Sequence, residues 1–331
     1  MSTDRIPLVT VITPTFNRAR FLDETIDSVL AQTYPRIEYI VLDDGSTDNT
    51  QEILQGYEGR LQTYTHPNMG ETRTVNKGWQ LAKGKYVFTV NSDDPVCPEL
   101  VATAVQFMED RPDVLAAYPD WVIIDEHSRP TQPITTAEYD YATMVAWHHC
   151  MPGPGTIMRR QAFERLGLRD PRFRYVADYE YWLRLGLHGR MARIPQTLAT
   201  WRTHATNLTT TARGRLMAAE HIAVIRRLFR RANLPEVVRK FHRQALATAY
   251  FVAGLTTAPA ARWQAQRYLL RALLYCPMKS LSYPPTGLTL PWAVLRQNLL
   301  LHDMPRAADH LEAMLRSGAH TARRLLQRIA A

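Results

Sequence analysis

Three acidic positions in this chain have types and spacings that can do chemistry. Asp43 and Asp44 end the apolar run IEYIVLDD and precede a Gly-Ser turn. A carboxylate there accepts hydrogen bonds from an imide N–H or a ribose hydroxyl, or else caps the turn itself. Asn91-Ser92-Asp93-Asp94 follows the run KYVFTV, and Pro95 and Pro98 keep a helix from starting at once. Asp93 and Asp94 form a hard-oxygen corner suited to Mg²⁺ or Mn²⁺ and to the phosphates such an ion carries, or a solvated acidic turn. Asp178 opens the amphipathic stretch ADYEYWLRL. A first-turn carboxylate suits the helix dipole, and it also suits a general base. Glu180 is the alternative base, but it points about 200° further round the helix, so the two do not serve one acceptor. His148 and His149 make a poor pair of metal ligands, because adjacent side chains diverge.

Such groups act only if rigid elements bring them together. PLVTVI, IEYIVLDD, LQTYTH and KYVFTV read as four strands. Between them FLDETIDSVLAQT, GSTDNTQEILQGY and TVNKGWQLAKG carry helical spacing, with Ser46, Thr47 and Asp48 as cap candidates for the second helix. This alternation specifies an α/β domain with a mostly parallel central sheet. Ligands of such sheets lie outside the carboxyl ends of the strands. The loops after the first, second and fourth strands carry ThrProThrPheAsn, AspAspGlySer and AsnSerAspAsp, all polar.

From about residue 210 the texture becomes all-α. Segments 214–232, 236–255, 260–276 and 303–330 have helical periodicity, punctuated by Pro259, Pro277, Pro284 and Pro285. The reading is therefore a domain over residues 1–209 and a basic helical domain over 210–331. Charge divides the same way. Residues 1–210 hold 21 basic and 26 acidic side chains, and residues 211–331 hold 19 and 5, a net charge of +14. Within RRLFRRANLPEVVRKFHRQ the basic residues alternate with Leu228, Phe229, Leu234, Val237, Val238 and Phe241. That pattern is a solvated helix face or a site for an anionic membrane surface. No nucleic-acid-binding module accompanies it, so nucleic acid is not expected as a partner.

Cys97, Cys150 and Cys276 are too few and too scattered for a disulfide framework or a zinc site, and read as reduced thiols. MSTDRIPLVTVITPT lacks the basic and apolar regions of a secretory signal. The longest uncharged stretch, 244–261, is interrupted by Thr248, Thr256, Thr257 and Pro259 and reads poorly as a membrane span. A cytoplasmic location follows as the expectation, peripheral to the membrane's inner face if the tail docks there. A nicotinamide-dependent oxidoreductase would need a glycine-rich turn after the first strand, and ThrProThrPheAsn has no glycine.

Taken in order, these blocks resemble the family 2 glycosyltransferases. VTVITPTFNRARFLDETIDSVLAQTYPRIEYIVLDDGSTDNT is similar to their nucleotide-binding opening, and NMGETRTVNKGWQLAKGKYVFTVNSDD to the block that ends in their acidic metal motif. PGPGTIMRRQAFERLGLRDPRFRYVADYEYWLRL, with the following TrpArgThrHis, is similar to their acceptor-side block; together the matches span residues 7–208. The resemblance implies the type A glycosyltransferase fold, the fold of nucleotide-diphospho-sugar transferases. It implies inverting transfer from a nucleotide-diphosphate sugar, most simply a UDP-sugar, to a hydroxyl of a glycan or lipid-linked acceptor in cell-surface glycan synthesis. Thr13, Pro14, Thr15 and Asn17 would line the base through their backbone, and Asp44 would contact it. Arg73 and Asn76 would help hold the nucleotide. Asn91 or Ser92 would take the ribose, Asp93 the divalent ion (Mn²⁺ or Mg²⁺), with His204 beside the diphosphate as a second ligand. Asp178 would deprotonate the acceptor.

Three positions depart from the pattern. Asn91 replaces the first acid of the metal motif, Ala177 replaces the glutamate before the base, and Val75 replaces an arginine for which Arg73 is the stand-in. The resemblance also leaves Trp147, Trp182 and Trp201 either to stack on sugar rings or to fill cores. The competing reading is a non-catalytic scaffold, in which a degenerate transferase domain serves the helical tail.

Overall fold

The structure is a computed structural model that describes residues 6–207, 214–232, 234–275, 290–301 and 305–316. Strand β1 (Val9–Thr15) is buried along its whole length. A strand buried on both faces needs apolar and β-branched residues throughout, and VTVITPT supplies them. It pairs in parallel with β2 (Ile37–Asp43) on one side and β4 (Tyr86–Thr89) on the other, and β3 (Gln62–Thr65) lies outside β2. Helices α1 (Ala19–Leu30), α2 (Thr50–Gln55) and α3 (Glu71–Leu81) connect them. α1 buries Leu22, Ile26 and Val29 in the core that also holds Val9, Val11 and Val41. α3 approaches the sheet at Gly78, where a Cβ would fall 2.5 Å from Ile12 Cγ2.

Past β4 the sheet reverses. β7 (Ile157–Arg159) runs antiparallel to both β4 and β5 (Val114–Ile124). β6 (Pro130–Ile134) is antiparallel to β5, and β8 (Arg190–Arg202) is parallel to it. The order is β3-β2-β1-β4-β7-β5-β6, with β8 on β5, eight strands among the described residues. Helices α4 (Leu100–Glu109), α6 (Arg160–Leu166) and α7 (Ala177–Gly186) belong to this half. The result is an α/β domain whose first half is parallel as the sequence predicts. The mixed half is hard to read because β7 has three residues and β5 carries register shifts near Pro119 and Asp120.

Arg159 ties this second half together. Its buried guanidinium donates to Val114 O at 2.8 Å, Met108 O at 2.7 Å, Arg111 O at 3.1 Å and the Tyr86 hydroxyl at 3.0 Å. One side chain thus joins the edge of β4, the end of α4 and the start of β5.

The chain divides into two compact units, residues 1–141 with 150–211, and residues 142–149 with 212–331. The second contains α5 (Tyr141–Ala146) from Ala142 onward and the helices α8 (Arg215–Phe229), α9 (Glu236–Arg239), α10 (His242–Thr257), α11 (Arg262–Tyr275), α12 (Leu290–Leu301) and α13 (Pro305–Arg316). Helix α12 is not among the segments the sequence reading marks. α10 and α11 form a helical hairpin that closes on small residues. Ala247, Ala253, Ala265, Leu269 and Ala272 are buried together, and a Cβ on Gly254 would meet Leu269 Cδ2 at 2.7 Å. His148 Nε2 and His221 Nδ1 lie 2.7 Å apart in this unit, and burial holds both rings well below the usual histidine pKa. Cys97 and Cys150 are free thiols; Cys276 and the expected boundary at residue 209 lie outside the described residues.

Replacing Arg159 by Met keeps most of the volume but leaves four acceptors short of a donor. The expected cost is about 3 kcal/mol, measured as a lower urea midpoint with an unchanged slope.

Candidate functional site

The carboxyl edge of the parallel strands opens into a cleft of about 760 Å³. β1 delivers Pro14, Thr15, Phe16, Asn17 and Arg18, β2 delivers Asp44, and the loop after β4 delivers Asn91 to Asp94. The N-terminus of α3 adds Gly70, Glu71 and Thr72, and the N-terminus of α7 adds Ala177 and Asp178.

The first two loops are tied to each other. Asn17 has φ +52°, a left-handed conformation that asparagine tolerates better than most residues. Its N–H donates to Ser46 Oγ at 2.9 Å, and its side-chain oxygen accepts from Thr47 N at 2.8 Å. Asp43 and Asp44 then divide the work. Asp43 accepts from Ser46 N and Gln51 Nε2, so it is the turn acid. Asp44 turns toward the cleft and accepts from Met69 N at 2.7 Å and Gly70 N at 2.9 Å. Gly45 makes that turn possible, since it has φ +76° and a Cβ would meet Asn68 N at 2.8 Å. The second helix starts beside its expected cap: Asp48 Oδ1 accepts from Thr50 N at 3.1 Å, one residue after the N-cap position Asn49.

The acids of the fourth loop also divide. Asp94 is 3% exposed and spends its carboxyl on Arg202 N at 2.8 Å and Asn91 Nδ2 at 2.9 Å. Burial, reinforced by the charge of Asp93, pushes its pKa up to about 8. Asp93 faces the cleft. Its Oδ2 lies 2.9 Å from His204 Nε2 and 3.2 Å from Arg18 Nε. Arg202, fully buried, carries both residues: its Nε donates to Asp93 O at 2.8 Å, while its other nitrogens reach Asp125 O, Ser128 Oγ and Glu24 Oε2.

Two adjacent ligands of an octahedral ion with bonds of about 2.1 Å stand about 3 Å apart. The Asp93 Oδ2 to His204 Nε2 separation of 2.9 Å is compatible with that spacing, although here it is a hydrogen bond, and the His204 side chain is buried and lies outside the cleft lining, with its Nδ1 on Thr206 Oγ1. No group of three His, Cys, Asp or Glu side chains forms a metal site among the described residues. An ion here would therefore rely on phosphate and water for its remaining ligands, as small divalent ions commonly do.

Asp178, the second residue of α7, lines the cleft and is exposed, with its Oδ1 accepting from Tyr179 N at 2.7 Å. Glu180 is only 3% exposed and is gripped by Arg184 Nε at 3.0 Å, so it buttresses α7 instead of facing the cleft. Trp182 and Trp201 line the cleft, whereas Trp147 is core of the helical unit. His148 likewise belongs to that unit.

Not every expected residue faces the cleft. Thr13 is buried inside β1, with its hydroxyl 3.1 Å from the Tyr39 hydroxyl. Arg73 is exposed outside the lining. Asn76 is a strut: its amide donates to Arg169 O at 2.8 Å and accepts from Arg169 N at 2.9 Å. What it holds is a residue the sequence reading missed. Arg169 lines the cleft, lies over Trp79 and has a buried Nε without a hydrogen-bond partner. Arg18, Arg174 and Glu71 line the cleft too. Glu71 is open to cleft solvent yet enclosed by the walls, and desolvation pushes its carboxyl up; Arg169 opposes this, and Asp178 and Asp93 add to it. Ala177 had left Asp178 without an acid beside it in sequence; Glu71 supplies one from another element. Arg18 could have been flagged as the cation directly after Asn17. Nothing in the spacing of the arginines over 159–174 separates Arg169 from its neighbours.

Residues 10–167 match the family described as glycosyl transferase family 2. An uncharacterized glycosyltransferase of Rickettsia prowazekii is 30% identical over 224 residues, which cover 65% of this chain and 70% of that protein. TuaG of Bacillus subtilis, a candidate teichuronic acid biosynthesis glycosyltransferase, is 39% identical over 109 residues, 32% of this chain and 43% of that protein. Among solved structures, S. aureus TarS 1–349 in complex with UDP-GlcNAc has a TM-score of 0.63 at 18% identity, covering 94% of this chain and 92% of that one. The mannosyltransferase PcManGT of Pyrobaculum calidifontis, in complex with GDP-Man and Mn²⁺, has a TM-score of 0.57 at 18% identity over 92% of this chain and 85% of that one. The two structural likenesses establish the fold.

Asp94 gives this site a pH signature. Its folded pKa lies above the unfolded value, so the native state keeps a proton that the unfolded chain releases. Its contribution is complete below about pH 4 and is lost as pH rises toward about 8. With a chelator present, Asp94→Asn should gain stability relative to the parent between pH 5 and pH 8, read as melting temperatures at the two pH values. A constant difference contradicts the assignment.

Proposed function

The chain belongs to glycosyltransferase family 2, and on that premise we propose that it moves a sugar from a UDP-sugar to an acceptor hydroxyl with inversion at the anomeric carbon. One observation carries this reading: Asp93, from the loop after β4, and Asp178, from the N-terminus of α7, line a single cleft with the loops after β1 and β2. The backbone of Pro14 to Asn17 and the carboxylate of Asp44 would flank the base. Asp44 keeps lone pairs for an imide N–H beyond the two backbone donors it already holds. Ser92 or Asn91 would meet the ribose.

Asp93 and His204 would hold a divalent ion, Mn²⁺ or Mg²⁺, which when bound neutralises the charge of the departing diphosphate. Arg18 and Arg169 bring side-chain cations to the same cleft, and guanidinium groups suit phosphate oxygens. Asp178 would take the acceptor hydroxyl's proton as that oxygen attacks the anomeric carbon and the diphosphate leaves. In-line attack from the face opposite the leaving group inverts the centre. Trp182 and Trp201 offer apolar walls on which sugar rings pack.

The acceptor we propose is a glycan or lipid-linked hydroxyl in cell-surface polysaccharide synthesis, at the cytoplasmic face of a membrane. TuaG's name supports that setting. No helix among the described residues is long and apolar enough to cross a membrane. The basic helices of residues 210–331 would then meet an anionic bilayer surface.

UDP with Mn²⁺ should raise the melting temperature of the parent protein, and Asp93→Ala should abolish that shift. Asp178→Asn should keep the shift and lose 10²- to 10⁴-fold in transfer, roughly the range of a general base. If UDP, GDP and TDP each leave the parent's melting temperature unchanged, the scaffold reading replaces this one. If both variants keep full turnover, the residue assignments are wrong.

A further inference from the structure

The sequence directs attention to residues 226–244 as a basic amphipathic surface, but folding leaves that segment little apolar face. Leu228, Leu234 and Val238 are buried, and Phe229 packs against the His242 ring at 4.5 Å. Only Val237, at 58%, is an exposed large apolar side chain there.

The exposed apolar residues gather on α11 instead. Seven large apolar side chains are exposed among the described residues, and four of them, Trp263, Leu270, Leu273 and Leu274, belong to this one helix. Trp263 is 82% exposed and Leu274 75%. Positions 263, 267, 270 and 274 are spaced four, three and four apart, so Trp263, Arg267, Leu270 and Leu274 form one stripe along the helix. The opposite stripe, Ala265, Leu269 and Ala272, is buried against the hairpin partner α10. Among the described residues, Trp263, Leu270 and Leu274 on the outer stripe stay exposed. Exposed apolar area concentrated in this way marks an interaction surface.

The chemistry of the stripe selects the occupant. α11 contains Arg262, Arg267 and Arg271 and no acidic residue. A second copy presenting the same face would set arginine against arginine in a desolvated contact. A partner must be anionic and must also accept tryptophan and leucine. A bilayer bearing anionic lipid is both: indole and guanidinium groups settle at the headgroup level, and leucine side chains reach the acyl boundary. Residues 211–331 carry a net charge of +14, which adds attraction to such a surface.

We propose that the outer face of α11, through Trp263, Arg267, Leu270 and Leu274, is the surface that docks this chain on an anionic membrane. The assignment rests on the peripheral-membrane reading above and makes it specific to one helix. The test is co-sedimentation of the full chain with phosphatidylcholine vesicles, with and without 30 mole per cent phosphatidylglycerol (roughly the anionic range of a surface that attracts basic segments). Three proteins are compared: the parent, a Trp263→Ser/Leu270→Ser/Leu274→Ser variant, and an Arg230→Glu/Arg231→Glu variant on the segment the sequence favoured. The parent should partition onto the anionic vesicles only. The α11 variant should lose at least tenfold in partitioning, while its melting temperature and its hydrolysis of UDP-sugar in solution stay those of the parent. The Arg230/Arg231 variant should lose much less. If the parent ignores anionic vesicles, the peripheral reading fails altogether. If the parent binds and the α11 variant binds equally, the peripheral reading survives and the assignment to α11 is overturned. If the parent is an oligomer that the α11 variant converts to a monomer, the face is a self-association surface and the proposal falls.

Discussion

A single buried cation organises the catalytic unit. Arg202 ends β8 and is fully buried, out of reach of bulk solvent. It is satisfied by Asp93 O, Asp125 O, Ser128 Oγ and Glu24 Oε2, while the Phe21 ring lies under its guanidinium at 4.8 Å. Its own N–H fixes the Asp94 carboxyl. The fourth loop of the parallel half is thereby bolted to the last strand of the mixed half. Two residues beyond, His204 lies against the Phe21 ring and meets Asp93. Buried charges persist only where such partners are complete. The orientation of Asp93 is in this sense a consequence of how Arg202 is satisfied.

The same logic explains why adjacent acids have unlike roles. In each Asp-Asp pair one carboxylate is taken up by structural donors, Ser46 N and Gln51 Nε2 for Asp43 and Arg202 N and Asn91 Nδ2 for Asp94, and the other is turned to the cleft. Asp43 is consumed and Asp44 lines the cleft; Asp94 borders the cleft but is consumed, and Asp93 is the acid turned to it. The two pairs thus use opposite members, and no property of the dipeptide says which. The conformation of the loop decides, through Gly45 in one case and Arg202 in the other.

Much of the parallel half was legible because its strands are uninterrupted β-branched runs and its loops carry the polar residues. The site's outline was legible for the same reason, and a resemblance in ordered blocks sharpened it. Other features were hidden for physical reasons. β7 is too short to show a period, and β5 and β8 mix prolines, acids and arginines through their bulges. The resemblance implied Asn76 as a nucleotide contact, yet both ends of its amide are satisfied by Arg169's backbone. Glu71 escaped notice because its relation to Asp178 exists only in three dimensions. In the tail, charge density pointed to residues 226–244, while burial, which sequence reports poorly for helices apolar on several sides, placed the exposed apolar residues on α11.

The proposed transfer requires a nucleotide diphosphate in the cleft at the carboxyl edge, beside Asp93 and His204. Crystals grown with UDP and Mn²⁺, measured at a wavelength where manganese scatters anomalously, test it directly. The predicted result is one anomalous peak in contact with Asp93 Oδ2 and His204 Nε2, with the diphosphate completing its ligands and the uracil beside Asp44. A nucleotide bound elsewhere, or a diphosphate held in this cleft by the arginines alone with no peak beside Asp93, would contradict it.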